Sequence, residues 1–211
     1  MTHTIESLPS DLEEIIYNRR EKRNIEYKDS MSWKDKNVRV RITRSILGMA
    51  NLPSGGYIVF GVRQNGNEFV PSGMDLEHSE SFTQDNVDDF VRNYAEPFVE
   101  VSVTRYLHRE KIYVIIQVNG FEELPVICKK DEKLKDGSIY LKQGLIYTRS
   151  RSKVETTEVR TQTEMREIIE QAVDKSLHKF IDRMGRAGIL SLISAEPSSD
   201  DRFDEQLREM I

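Results

Sequence analysis

The segment Pro53-Ser54-Gly55-Gly56, followed by Tyr57-Ile58-Val59-Phe60-Gly61-Val62, constrains this chain more than any other. A nearly continuous apolar run, short and bracketed by turn formers, is the pattern of a strand buried on both faces. Such a strand belongs at the centre of a sheet, with other elements packed above and below it. Asn65-Gly66 then supplies a tight turn. The paired glycines suit a turn with demanding backbone angles, and can also present amides to an anion. No Gly-Lys-Ser/Thr follows them and the next element is a strand, which excludes a Walker-type loop and a dinucleotide fingerprint.

The rest of the chain arranges itself around that strand. Ser10, followed by Asp11 and Glu13, is an N-cap with acids in the first turn, predicting a helix of about ten residues. Asn24 to Met31 alternates as a strand, which places Glu26 and Lys28 on one face. Lys34 to Asn51 reads as a helix, with Val38, Ile42, Ile46 and Met49 on one stripe and Arg41 and Arg44 off it. Thr83 caps a further helix that Pro97 ends. Val99–Leu107 and Lys111–Val118 form a hairpin through His108-Arg109-Glu110, and 124–129, 139–142 and 146–149 are shorter strands. A long helix over 158–180, a short one over 186–194 and a linker over 195–201 complete the reading. Strands outnumber crossover helices, so the expected fold is α+β: a mixed β-sheet flanked by helices, with a C-terminal helical extension. The expected domains are 1–160 and a helical tail, 161–211.

With 37% hydrophobic residues the chain can build a core, and its longest apolar stretches fall far short of a bilayer span. Met1 to Leu12 has no apolar block, and a single cysteine, Cys128, precludes an internal disulfide, so a cytoplasmic, reducing setting is expected. Trp33 and Cys128 read as packing residues. The net charge of −5 conceals segregation: ten Lys/Arg against four Asp/Glu over 19–44, four basic residues and no acid over 142–153, and eight acids against Arg92 over 75–100. Attraction to phosphate follows local potential, so two basic stretches meeting in the fold would make one patch. Separated, they would be ordinary solvated surface.

Two constellations bear on chemistry. Glu21 and Glu26 lie five apart across a helix-to-strand junction, with Lys28 on the face of Glu26. Such a set can hold a divalent metal through carboxylate oxygens while the ammonium neutralises a phosphate; the same spacing also suits an exposed strand with a routine ion pair. Tyr147, Arg149, Arg151 and Lys153 combine a ring with alternating cations, suited to base stacking and phosphate contacts. Strand edges also carry such cations. No Ser-His-Asp or Cys-His arrangement can be nominated, and the four histidines lack the paired spacing of a zinc site.

Taken together, these segments resemble the Schlafen AlbA-type domain family, often described as DNA-binding domains. The likeness rests on Glu26-Tyr27-Lys28, Ala50-Asn51, Gly55-Gly56, Gly61-Val62 and Tyr147-Thr148-Arg149, and covers about residues 8–160. It implies nucleic-acid engagement. Some relatives are endoribonucleases that cleave tRNA or rRNA with three acids and a divalent metal. Two of those acids match Glu21 and Glu26, but the third position is the neutral Gln64. The leading expectation is therefore DNA or RNA binding without a cofactor, with Arg41, Arg44, Arg149, Arg151 and Lys153 on phosphates and Tyr147 stacking. The alternative is an Mg2+- or Mn2+-dependent nuclease using Glu21, Glu26 and Lys28, with both glutamates as metal ligands. A third reading is an interaction protein whose C-terminal helices form a homo-oligomer or dock a protein partner. Transcription control, RNA processing and antiphage defence are all compatible settings.

Overall fold

The computed structural model describes residues 6–7, 10–17, 21–66, 68–151 and 154–187. In chain order the elements are β1 (Glu6–Ser7), α1 (Ser10–Tyr17), β2 (Ile25–Lys28), α2 (Lys36–Ala50), β3 (Gly56–Phe60), β4 (Val62–Asn65), β5 (Glu68–Pro71), α3 (Leu76–Glu80) and α4 (Gln84–Arg92). They continue with β6 (Ala95–Glu96), β7 (Val101–His108), β8 (Lys111–Val118), β9 (Ile127–Cys128), β10 (Glu132–Lys133), β11 (Ile139–Leu141), β12 (Tyr147–Arg149), β13 (Thr156–Glu158) and α5 (Gln162–Arg186). The chain divides into two compact units, Met1–Gln171 and Ala172–Ile211. The expected short helix over 186–194 falls mostly, and the linker over 195–201 wholly, outside the described residues.

The main sheet has the order β1-β7-β8-β3-β2, with β1 parallel to β7, β2 parallel to β3, and the other pairs antiparallel. This is the mixed sheet that the element order implies. The apolar run does become an inner strand, since β3 lies between β8 and β2, and Ile58, Val59 and Phe60 are completely buried. The register sets which side chains share a face: Tyr27 is opposite Val59, whereas Glu26 is opposite Ile58 and Lys28 opposite Phe60. Tyr27 and Val59 pack with Ile16, Phe69 and Tyr113 in one core. The opposite face, the one carrying Glu26, takes α2, whose Ile42, Ile46 and Met49 are buried. Burying each such side chain contributes roughly 1.5–3 kcal/mol. The Gly-Gly pair is needed for close approach: a Cβ on Gly55, at φ +68, would lie 1.8 Å from the Val118 carbonyl oxygen, and one on Gly56 would lie 2.6 Å from that of Asn24.

Asn51 shows how this core is joined to the later strands. It ends α2 and is buried, with its Nδ2 donating to the carbonyls of Leu47, Val126 and Tyr147 while its Oδ1 accepts from the Val126 amide. The helix is thereby fastened to β12. Its start is fixed by Asp35, which accepts from the Asn37 amide, and Thr83 caps α4 in the expected way.

Some elements differ from the expectation. The β7–β8 connection is a two-residue turn with Arg109 and Glu110 both at positive φ, which extends the ladder to His108. After Asn65-Gly66 the chain returns as β5, a strand of four residues that ends on Pro71 and is too short to show an alternating pattern. The 158–180 helix begins at Gln162, because Thr156–Glu158 pairs with β12. Its first turns pack within the main unit: Ile168 is buried and Glu167 takes a two-pronged ion pair from Arg23.

Candidate nucleic-acid interface

The two basic segments meet. Helix α2 packs on β12, and the Arg44 guanidinium carbon lies 5.0 Å from the centre of the Tyr147 ring and 4.8 Å from that of Tyr140. Beside them opens a cavity of about 740 Å3, lined among others by Glu21, Glu26, Lys28, Arg44, Tyr140 and Arg149. A second cavity of about 330 Å3, bordered by Arg41, shares Glu26, Lys28, Ser45 and Tyr140 with the first. Sequence spacing had pointed to Arg41 and Arg44 as residues off the apolar stripe. It gave no sign of Tyr140, which sits in the short strand β11.

Glu26 is the centre of the wall between the cavities. It is buried, yet its Oε1 receives Lys28 Nζ at 2.5 Å and Ser45 Oγ at 3.1 Å, and its Oε2 receives Arg149 Nη1 at 2.8 Å. A carboxylate in a low-dielectric setting needs this compensation. Arg149 is equally occupied. It also donates to the carbonyls of Arg23 and Val154 and to Thr156 Oγ1, while Arg23 donates back to the Arg149 carbonyl.

These placements bear on the expected roles of the basic segment. Arg149 is fully buried, borders the larger cavity, and its guanidinium holds Glu26. Tyr147 is also fully buried, with its hydroxyl accepting from the Lys142 amide, and it presents no ring face to a base. Arg151 is exposed and pairs with Glu167 at 3.2 Å. Lys153 lies outside the described residues. Arg41 is exposed and Arg44 half-buried, and neither is in an ion pair among the described residues.

Glu21 and Glu26 line the same cavity, but the donor set does not fit a divalent cation. Both oxygens of Glu26 already face cationic groups, and Gln64, on the cavity wall, is neutral. Asp29 is taken by Arg63 at 2.8 Å. Among the described residues no cluster of three His, Cys, Asp or Glu side chains is placed to hold a metal.

The remaining acids of the larger cavity are mostly engaged as well. Glu158 pairs with Arg160 and Lys142, and the Arg160 hydrogen bond holds its carboxyl below the usual range. Glu164 accepts from the amides of Arg160 and Thr161. Glu21 differs: burial pushes its carboxyl above the usual range against the pull of the Tyr27 amide, and the charge of Glu26 adds to the rise. Its ionised form therefore opposes folding. The contribution of Glu21 to stability should fall as pH rises from the ordinary glutamate range through the raised value, and Glu21→Gln should remove that contribution. Urea midpoints should show the variant more stable than wild type near about pH 7 and equal to it near about pH 4. A variant no more stable at the higher pH would contradict this.

No curated protein matches the chain significantly. Among solved structures, the DIP2311 protein of Corynebacterium diphtheriae is similar, with a TM-score of 0.46 and 13% identity, over 76% of this chain and 28% of that one. This chain thus spans under a third of that protein's length. The N-terminal domain of a RecG-related protein of Nitrosomonas europaea is similar with a TM-score of 0.41 and 18% identity, over 69% of this chain and 94% of that one. No helix among the described residues is long and apolar enough to cross a membrane. The Schlafen AlbA_2 family pattern matches residues 21–158, a stretch that holds the buried strand, Asn51, Glu26 and Arg149, and the chain belongs to that family.

Proposed function

We propose that this protein binds DNA or RNA through phosphates, at the face where α2 meets β11 and β12. One observation carries the reading: the guanidinium groups of Arg41 and Arg44 both lie near the Tyr140 ring with no ion pair among the described residues, beside Lys28 and two adjoining cavities. Cations already paired with acids attract a polyanion weakly; unpaired ones on a concave surface attract it strongly. Family membership supports a nucleic-acid partner on independent grounds. Arg149 and Glu26 contribute by fixing the floor of the site.

Binding through phosphates releases counterions, so affinity must fall steeply with salt. In gel shifts of the full chain with single- and double-stranded oligonucleotides, binding is expected at low salt and should weaken roughly tenfold or more between about 50 and 200 mM. Absence of binding to every oligonucleotide at low salt would overturn the proposal.

A second reading concerns α5 from Ala172 onward. Val173, Leu177, Phe180 and Ile181 are 45–59% exposed and fall on one side of the helix. Contiguous apolar surface of this kind marks association, and an identical stripe on a second copy is self-complementary. Light scattering should give a two-copy mass for the full chain and a one-copy mass for Leu177→Glu/Phe180→Glu. Equal masses would exclude self-association through this face.

A further inference from the structure

Tyr147, Arg44, Tyr140 and Arg41 are linked in that order by ring–cation contacts, a ladder in the sense of contact only. The guanidinium carbon of Arg44 stands within about 5 Å of both ring centres, and that of Arg41 lies 6.0 Å from the Tyr140 ring. The ladder runs outward: Tyr147 is fully buried, Arg44 and Tyr140 are half-buried, and Arg41 is exposed. Arg44 Nε is shielded from solvent and has no hydrogen-bond partner among the described residues. A planar, weakly hydrated guanidinium stacks on π-faces while its edge still donates to phosphate.

From this we infer that the site takes unpaired nucleotides: a single-stranded segment whose base extends the Tyr140–Arg41 end of the ladder while neighbouring phosphates lie on Arg41 and Arg44. The inference rests on the phosphate-binding reading above and sharpens it to a substrate class. Three features favour a single strand over a duplex. The outer members of the ladder border cavities, Tyr140 on the wall between two and Arg41 on the smaller one, and these cavities have the size of small-ligand sites. Bases within a duplex have their faces covered by stacking and offer only edges, which a π-ladder cannot use. Bases in single strands are free to stack on aromatic and guanidinium planes. Asp136, whose carboxyl is held low chiefly by Ser138 with the Arg41 charge contributing, adds an acid near the outer end. A duplex backbone, with its higher charge density, would feel that repulsion more.

The test is fluorescence anisotropy on the full chain with three kinds of probe of equal length: a single-stranded oligonucleotide (as DNA and as RNA), the matching duplex, and a single strand of abasic sites. Wild type should prefer the single strand to both the duplex and the abasic strand. Tyr140→Leu keeps apolar bulk without the π-face, and should weaken single-strand binding roughly 5- to 150-fold. The same variant should leave duplex and abasic binding nearly unchanged. Tyr140→Phe should retain single-strand binding, which also separates the ring from the hydroxyl. Equal losses on all three probes would mean that Tyr140 merely supports the arginines, and would overturn the inference; so would no loss on any of them. In both cases the phosphate-binding reading would stand. Failure of wild type to bind any probe at low salt would instead overturn that reading itself.

Discussion

Replacing Arg149 with Met is expected to cost about 3–5 kcal/mol of folding stability. The side chain is 2% exposed and its partner Glu26 only 7%, so the variant strands a carboxylate away from water. Lys28 and Ser45 remain on the other oxygen, which places the loss toward the lower end of that range. The variant also frees acceptors at Arg23, Val154 and Thr156 that Arg149 now satisfies. Urea denaturation should show the shift in midpoint. Adding Glu26→Gln to Arg149→Met should recover part of the loss, because no buried charge then lacks its partner. If the single variant were as stable as wild type, the network would not be what holds β2 to β12.

Much of this architecture can be read from residue order, and the exceptions have physical causes. The central strand declares itself because burial on both faces demands an apolar residue at nearly every position from Tyr57 to Val62. The cap Thr83 acts on an amide three residues away, so local spacing is enough, whereas the Asp35 cap falls inside the helix expected from Lys34. Arg149 is different. A cation in a segment with Arg151 and Lys153 looks like surface, and its burial depends on a carboxylate 123 positions earlier. Tyr147 fails for the same reason, since the partners enclosing it come from α2. The acid pair Glu21 and Glu26 does border one cavity, but spacing along a chain says nothing about whether cations from other elements already sit on those oxygens.

The second large effect concerns the cations that remain available. Arg41→Ala/Arg44→Ala should leave the fold intact, because neither side chain carries an ion pair among the described residues, while removing two phosphate partners. Charge-assisted hydrogen bonds contribute about 1.5–3 kcal/mol each, so nucleic-acid affinity should fall by about 3 kcal/mol or more, a hundredfold or greater weakening. The loss should be similar across sequences, since phosphate contacts position the ligand without reading its bases. Circular dichroism and urea midpoints matching wild type would confirm that the loss belongs to the surface and not to unfolding.

The salt dependence of binding, measured by equilibrium titration on wild type and on this double variant, tests the central claim most directly. Each phosphate contact removed should lower the slope of log affinity against log salt by about 0.7–0.9. The account predicts a steep slope for wild type and one shallower by about 1.4–1.8 for the variant. Identical slopes for the two proteins, or wild-type binding indifferent to salt, would contradict it.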